Sequence, residues 1–131
     1  MELVGIVNDS IERATRDCDP NPLCYALRTL SDAYKHEQGA YGGLPLEPQK
    51  FVHNKALDIA TDNVITCRRI SLGGKAYTCL AFDLKEVKGL KPEIAKKLIE
   101  QISDLTRKPD MSEGPLYIVD QERMIVGISV D

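Results

Sequence analysis

The sequence predicts an α+β fold with elements in the order ααα-ββ-α-ββ and a mostly antiparallel four-stranded sheet covered by helices. Three observations carry that expectation. Before Val64 the apolar residues recur at spacings of three and four, the period of a helix. From Val64 to Leu84, two runs rich in β-branched and aromatic residues flank Gly73-Gly74, and a Gly-Gly pair supplies the positive φ angles of a two-residue primed turn. After that hairpin come one strongly periodic helical stretch and a second hairpin pattern, so helices do not alternate strand by strand.

In chain order, Leu3, Val7, Ile11, Ala14 and Cys18 form one stripe of a first helix, with Glu12, Arg13, Arg16 and Asp17 off it. Asp19-Pro20-Asn21-Pro22 ends it, because two prolines restrict the residues before them and interrupt helical bonding. A second helix is expected from about Leu23 to Gln38, with Leu23, Ala26, Leu27, Leu30, Ala33 and Tyr34 on one face and Gly39 as its stop. The loop from Gly39 to Pro48 holds three glycines around Tyr41 and reads as the most mobile part of the first half. Pro48 suits the first turn of a third helix, about Gln49 to Asn63, burying Val52, Ala56, Ile59 and Ala60.

In the first hairpin a two-residue turn pairs Leu72 with Lys75, and therefore Cys67 with Leu80 and Arg68 with Cys79. Leu90 to Leu105 is the clearest helix: Ile94, Ala95, Leu98, Ile99, Ile102 and Leu105 make a broad apolar stripe, Pro92 sits in the first turn, and Glu93 precedes Lys97 by four. Leu116 to Val130 reads as a second hairpin turning at Gln121-Glu122, which sets Ile118 against Ile125 and Val119 against Met124. Both faces of that hairpin are apolar, so its strands are expected in the centre of the sheet, covered on two sides.

With 131 residues, 43% hydrophobic and 28% charged, the chain is expected to form a single domain, residues 1–131, around one core. No segment approaches the ~18 apolar residues of a membrane span, and the start Met1-Glu2-Leu3 carries an acid where a signal peptide carries basic residues. A cytoplasmic location and no membrane partner are the expectation. The net charge is −3, divided as −4 over residues 1–64 and +1 over 65–131, and this argues against a nucleic-acid partner. Cys18, Cys24, Cys67 and Cys79 match neither a disulfide scaffold nor a paired C-x-x-C zinc pattern, and the hairpin register points Cys67 and Cys79 to opposite faces. Free thiols and no metal centre are expected.

Material for catalysis is thin. The two histidines, His36 and His53, lie on different expected helices, and His36 follows Asp32 by four residues, a spacing at which a carboxylate can orient an imidazole. No nucleophile elbow and no phosphate loop is present. Adjacent Arg68 and Arg69 must point to opposite faces of their strand, so one faces a covered surface or an interface, where a guanidinium wants a carboxylate or a phosphate.

Two local patterns resemble known motifs. Val87-Lys-Gly-Leu-Lys-Pro-Glu-Ile-Ala-Lys-Lys-Leu-Ile99 resembles the second half of a helix-hairpin-helix DNA-binding motif, with Lys91 in place of the second glycine and a strand where that motif has its first helix. Gly114 to Ile128 resembles the central hairpin of a cystathionine-β-synthase type adenosine-binding module. Each covers about a tenth of the chain, and neither defines a family for the whole.

These readings lead to a non-enzymatic cytoplasmic interaction or regulatory module acting through protein-protein contacts, since no nucleophile, base and metal ligands converge and no cofactor is called for. The alternative is a binder of a small phosphorylated or nucleotide-like anion, using Arg68 or Arg69 with Lys75 and with Tyr41 as a stacking lid; a small enzyme is a third. A homodimer or larger symmetric oligomer is expected, with the hairpin 116–130 or its covering helices at the contact, because the apolar strand at 124–130 needs its edge closed.

Overall fold

The hairpin around Gly73-Gly74 forms as the sequence predicts. Strands β1 (Ile65–Leu72) and β2 (Lys75–Asp83) pair antiparallel with Leu72 opposite Lys75, Cys67 opposite Leu80 and Arg68 opposite Cys79. Gly73 and Gly74 have φ of 60° and 83°, the conformation that a side chain would strain and glycine does not. The computed structural model describes residues 2–40, 46–106 and 116–130.

Helix α1 (Leu3–Asp17) ends at Cys18, which is left-handed at φ 50° and donates its N–H to Ala14 O. Helix α2 (Asn21–Ala40) begins between the two prolines, where the Asp19 carboxylate accepts the Asn21 N–H at 3.0 Å, and it runs through Gly39 rather than stopping there. Tyr41, expected as a lid, lies with 42–45 outside the described residues.

The expected third helix is two. Helix α3 (Pro48–Asn54) and the single turn α4 (Leu57–Ala60) are separated by Ala56, left-handed at φ 56°. On one straight helix Leu57 would sit about 140° around from Val52, so the two could not share a core face. The break lets Phe51, Val52 and Leu57 all bury, while Ile59 is 72% exposed and Ala56 and Ala60 are exposed too, against the expected stripe.

After β2 a 3-10 turn (Leu84–Glu86) leads to α5 (Pro92–Thr106), whose Ala95, Leu98, Ile99 and Ile102 are buried as expected. Strands β3 (Tyr117–Asp120) and β4 (Ile125–Ser129) then close the sheet in the order β1-β2-β4-β3, all pairs antiparallel. Their register differs from the expected one by two residues: Tyr117 faces Ile128 and Val119 faces Val126. The turn takes up the difference, because Met124 is left-handed at φ 59° and the Asp120 carboxylate accepts the Arg123 N–H at 3.1 Å. A shift of two leaves every side chain on its expected face, whereas a shift of one would have reversed them all.

Strand β4 is central, between β2 and β3, while β3 and β1 are the edges. β4 is paired on both sides and Ile125 and Ile128 are buried, so the edge that the 116–130 hairpin leaves open is that of β3 and not that of the strand at 124–130. The helices cover one face, where Ile65, Leu80, Phe82, Val126 and Ile128 join the residues of α1, α2, α3 and α5 in the main core. Among the described residues the other face is covered by the sheet itself. Ile70, Cys79, Ala81, Ile118 and Ile125 form a second, strand-only cluster. In a flat sheet β1 and β3 would stand about 14 Å apart, three strand spacings; here their Cα atoms come within 8 Å. That curl needs a residue without a side chain in the middle of β4, and Gly127 supplies it, since a Cβ there would lie 2.9 Å from Cys79 Cβ and 3.2 Å from Ala81 Cβ.

Candidate functional site: the outer side of strand β1

Beside β1 runs an open cleft of about 640 Å³, walled by α3 and α4 on one side and by Ile65 to Arg68 on the other. The local sequence builds it through the turn from α4 into β1. Thr61, buried, donates its hydroxyl to Leu57 O and accepts the Ile65 N–H at 3.4 Å, and Asp62 and Asn63 take left-handed φ of 49° and 70° to reverse the chain. The helical wall contributes Glu47, Lys50, His53 and Asp58.

His53 and Asp58 form the carboxylate-imidazole pair of this protein, with Nδ1 3.2 Å from Oδ2. The expected pair does not form: no contact joins Asp32 to His36 among the described residues, although both lie on α2. Residues 53 and 58 are five apart, a spacing that does not face on a continuous helix, and only the break at Ala56 brings them together. No pattern in the sequence signals it. Cys67 lines the same cleft, yet among the described residues no three His, Cys, Asp or Glu side chains are placed to hold a metal ion. All four cysteines are free thiols, as expected.

The expected cations do not converge. Arg68 lies on the face of the strand-only cluster, with Nη2 3.8 Å from the Oδ2 of buried Asp83, whose Oδ1 accepts the Lys85 N–H at 3.2 Å. Arg69 lies on the opposite face and is exposed, its Nη1 3.3 Å from Thr78 Oγ1. Lys75 stands at the far end of the hairpin with its ammonium 4.9 Å from the centroid of Tyr77, a cation-π contact. Thr66 lines the cleft, and its Oγ1 is the one buried side-chain oxygen or nitrogen without a hydrogen-bond partner among the described residues.

The backbone of β1 was not singled out by sequence reasoning. Asp83 N–H donates to Val64 O at 2.8 Å. By the alternation of an antiparallel ladder, Thr66, Arg68, Ile70 and Leu72 turn their N–H and C=O groups toward β2, and Ile65, Cys67, Arg69 and Ser71 turn theirs outward. Arg69 and Ser71 are exposed.

The resemblance of Val87 to Ile99 to a helix-hairpin-helix motif extends to a glycine with positive φ, Gly89 at 80°, but β2 and a 3-10 turn stand where the motif's first helix belongs. No helix among the described residues is long and apolar enough to cross a membrane. No protein-family model, curated protein or solved structure matches this chain.

Proposed function

We propose that this protein is a non-enzymatic interaction module of the cytoplasm that takes up an extended segment of a partner protein along the outer edge of β1. One observation carries the reading: an eight-residue edge strand, Ile65–Leu72, whose outward backbone groups at Arg69 and Ser71 have no partner among the described residues and whose first half opens on a cleft. Such an edge is a template for a further strand, and proteins that do not use one tend to shorten it, bulge it, charge it or place proline in it; of these devices β1 carries only the charges of Arg68 and Arg69. Here the strand is long, regular and free of proline. Four free thiols fit a reducing compartment.

The alternative, a small phosphorylated ligand held by Arg68, Arg69, Lys75 and Tyr41, has less support. The first two point to opposite faces, Lys75 is engaged with Tyr77, and Tyr41 is outside the described residues. Thermal denaturation separates the two readings. Inorganic phosphate or ATP at 100 times its Kd adds about 2.7 kcal/mol of stability to a protein that binds it, and the edge-docking reading expects no shift. A shift abolished by Arg69→Ala establishes the anion site instead.

A further inference from the structure

We infer that the segment taken up by β1 comes from a different protein and is acidic, with two adjacent carboxylate residues set against Arg68 and Arg69; this rests on the edge-docking reading above. Successive residues of an added strand point to opposite faces, as Arg68 and Arg69 do. A neighbouring strand therefore meets both guanidinium groups only with two consecutive acids.

Both arginines have capacity left. Arg68 stands 3.8 Å from Asp83, beyond hydrogen-bond distance, and among the described residues Arg69 touches a neutral hydroxyl, at 3.3 Å. The β1–β2 hairpin is also cationic within an acidic molecule: it carries Arg68, Arg69 and Lys75 against Asp83 alone, in a chain of net charge −3. On the helical wall of the cleft Asp58 is tied to His53, and Lys50 is balanced by Glu47, so the charge excess of the site lies on β1.

The same two residues select against a second copy of this chain. Antiparallel pairing of β1 with itself has its longest overlap in the registers centred on residue 68 or 69, and these place Arg68 opposite Arg68 or Arg69 opposite Arg69. Like charges directly opposite destabilise a strand pair. Charged residues on an edge strand are a recognised device against self-association, and an acidic strand is what turns that repulsion into attraction.

Three labelled nonapeptides test the inference, each of alternating valine and threonine with a central Glu-Glu, Gln-Gln or Lys-Lys pair. Binding is read by anisotropy, and the exchange of the Arg69 and Ser71 amides by NMR. The expected result is that the Glu-Glu peptide binds roughly fivefold tighter than Gln-Gln, that Lys-Lys is weakest, and that the gap narrows at roughly 0.5 M salt. The two amides slow in the complex, and Arg69→Gln removes the preference. If all three peptides bind alike and slow the same amides, edge docking stands and the acidic selectivity is overturned. If no peptide slows them, or if Ser71→Pro with an unchanged melting curve binds as well as the unaltered protein, both readings fall.

Discussion

Tyr117 Oη donates to the backbone carbonyl oxygen of Cys24 at 3.3 Å, joining β3 to the first turns of α2 across 93 residues of chain. The phenol crosses the main core from an edge strand, and the Cys24 thiol beside it is buried. Tyr117→Phe keeps the packing of the ring and removes only the donor. Because the bond is part-buried and neutral, the loss expected in urea denaturation is about 1 kcal/mol. No change would mean that the hydroxyl finds an equal partner in the variant's solvent.

Alkali acts on the same pair. Burial, then the nearby charge of Asp19, pushes the Cys24 thiol up to about 11 from an ordinary 9.0. Burial also raises Tyr117 above its ordinary value of 10.0. Well below pH 9 the thiol is protonated in both folded and unfolded chains and contributes nothing to a pH dependence. As pH rises toward 11 the unfolded chain ionises while the folded one holds its proton, so the fold loses stability across that window. Urea midpoints measured from pH 8 to 11 should fall more steeply for the unaltered protein than for Cys24→Ala.

Gly127→Ala should destabilise by about 2 kcal/mol. The new methyl meets Cys79 Cβ at 2.9 Å and Ala81 Cβ at 3.2 Å, both fixed to the backbone of β2, as well as Ile70 Cδ1 at 3.2 Å. Only the isoleucine can move aside. Adding Ile70→Val should therefore fail to restore the urea midpoint, and full rescue by it would show that the curl of the sheet does not depend on this glycine.

Ala56→Gly should stabilise the protein by roughly 0.5 to 1 kcal/mol. Ala56 holds φ of 56° between α3 and α4, its side chain is exposed, and so little packing is lost with the methyl. A lower melting temperature for the glycine variant would mean that the greater freedom of its unfolded chain outweighs the strain relieved.

The two arginines should separate in stability. Arg68→Ala leaves buried Asp83 without its guanidinium, and with Arg68 itself 44% exposed the cost is discounted to about 1 kcal/mol. Arg69→Ala should stay within about 0.5 kcal/mol, as for surface positions generally. Equal losses in urea denaturation would refute the assignment of Arg68 to the fold and Arg69 to the surface.

The sequence by itself determined the order of elements, the turn at Gly73-Gly74, the whole β1–β2 register, the buried stripe of α5 and the faces of both hairpins. These depend on local chemistry: glycine at positive φ, a period of two or of 3.6, proline at helix starts. What lay beyond it depends on contacts between distant segments. Ala56 breaks the third helix because Leu57 is needed in the core beside Phe51 and Val52. The β3–β4 register moves by two because its turn is four residues long, with Met124 left-handed. The pairing of His53 with Asp58 follows from that helix break and the open edge of β1 from the strand order, and neither leaves a periodic trace in the chain. Which strand lies at an edge is settled by how β2, β3 and β4 pair and curl around Gly127, and hydrogen bonding between strands does not register in hydrophobic pattern.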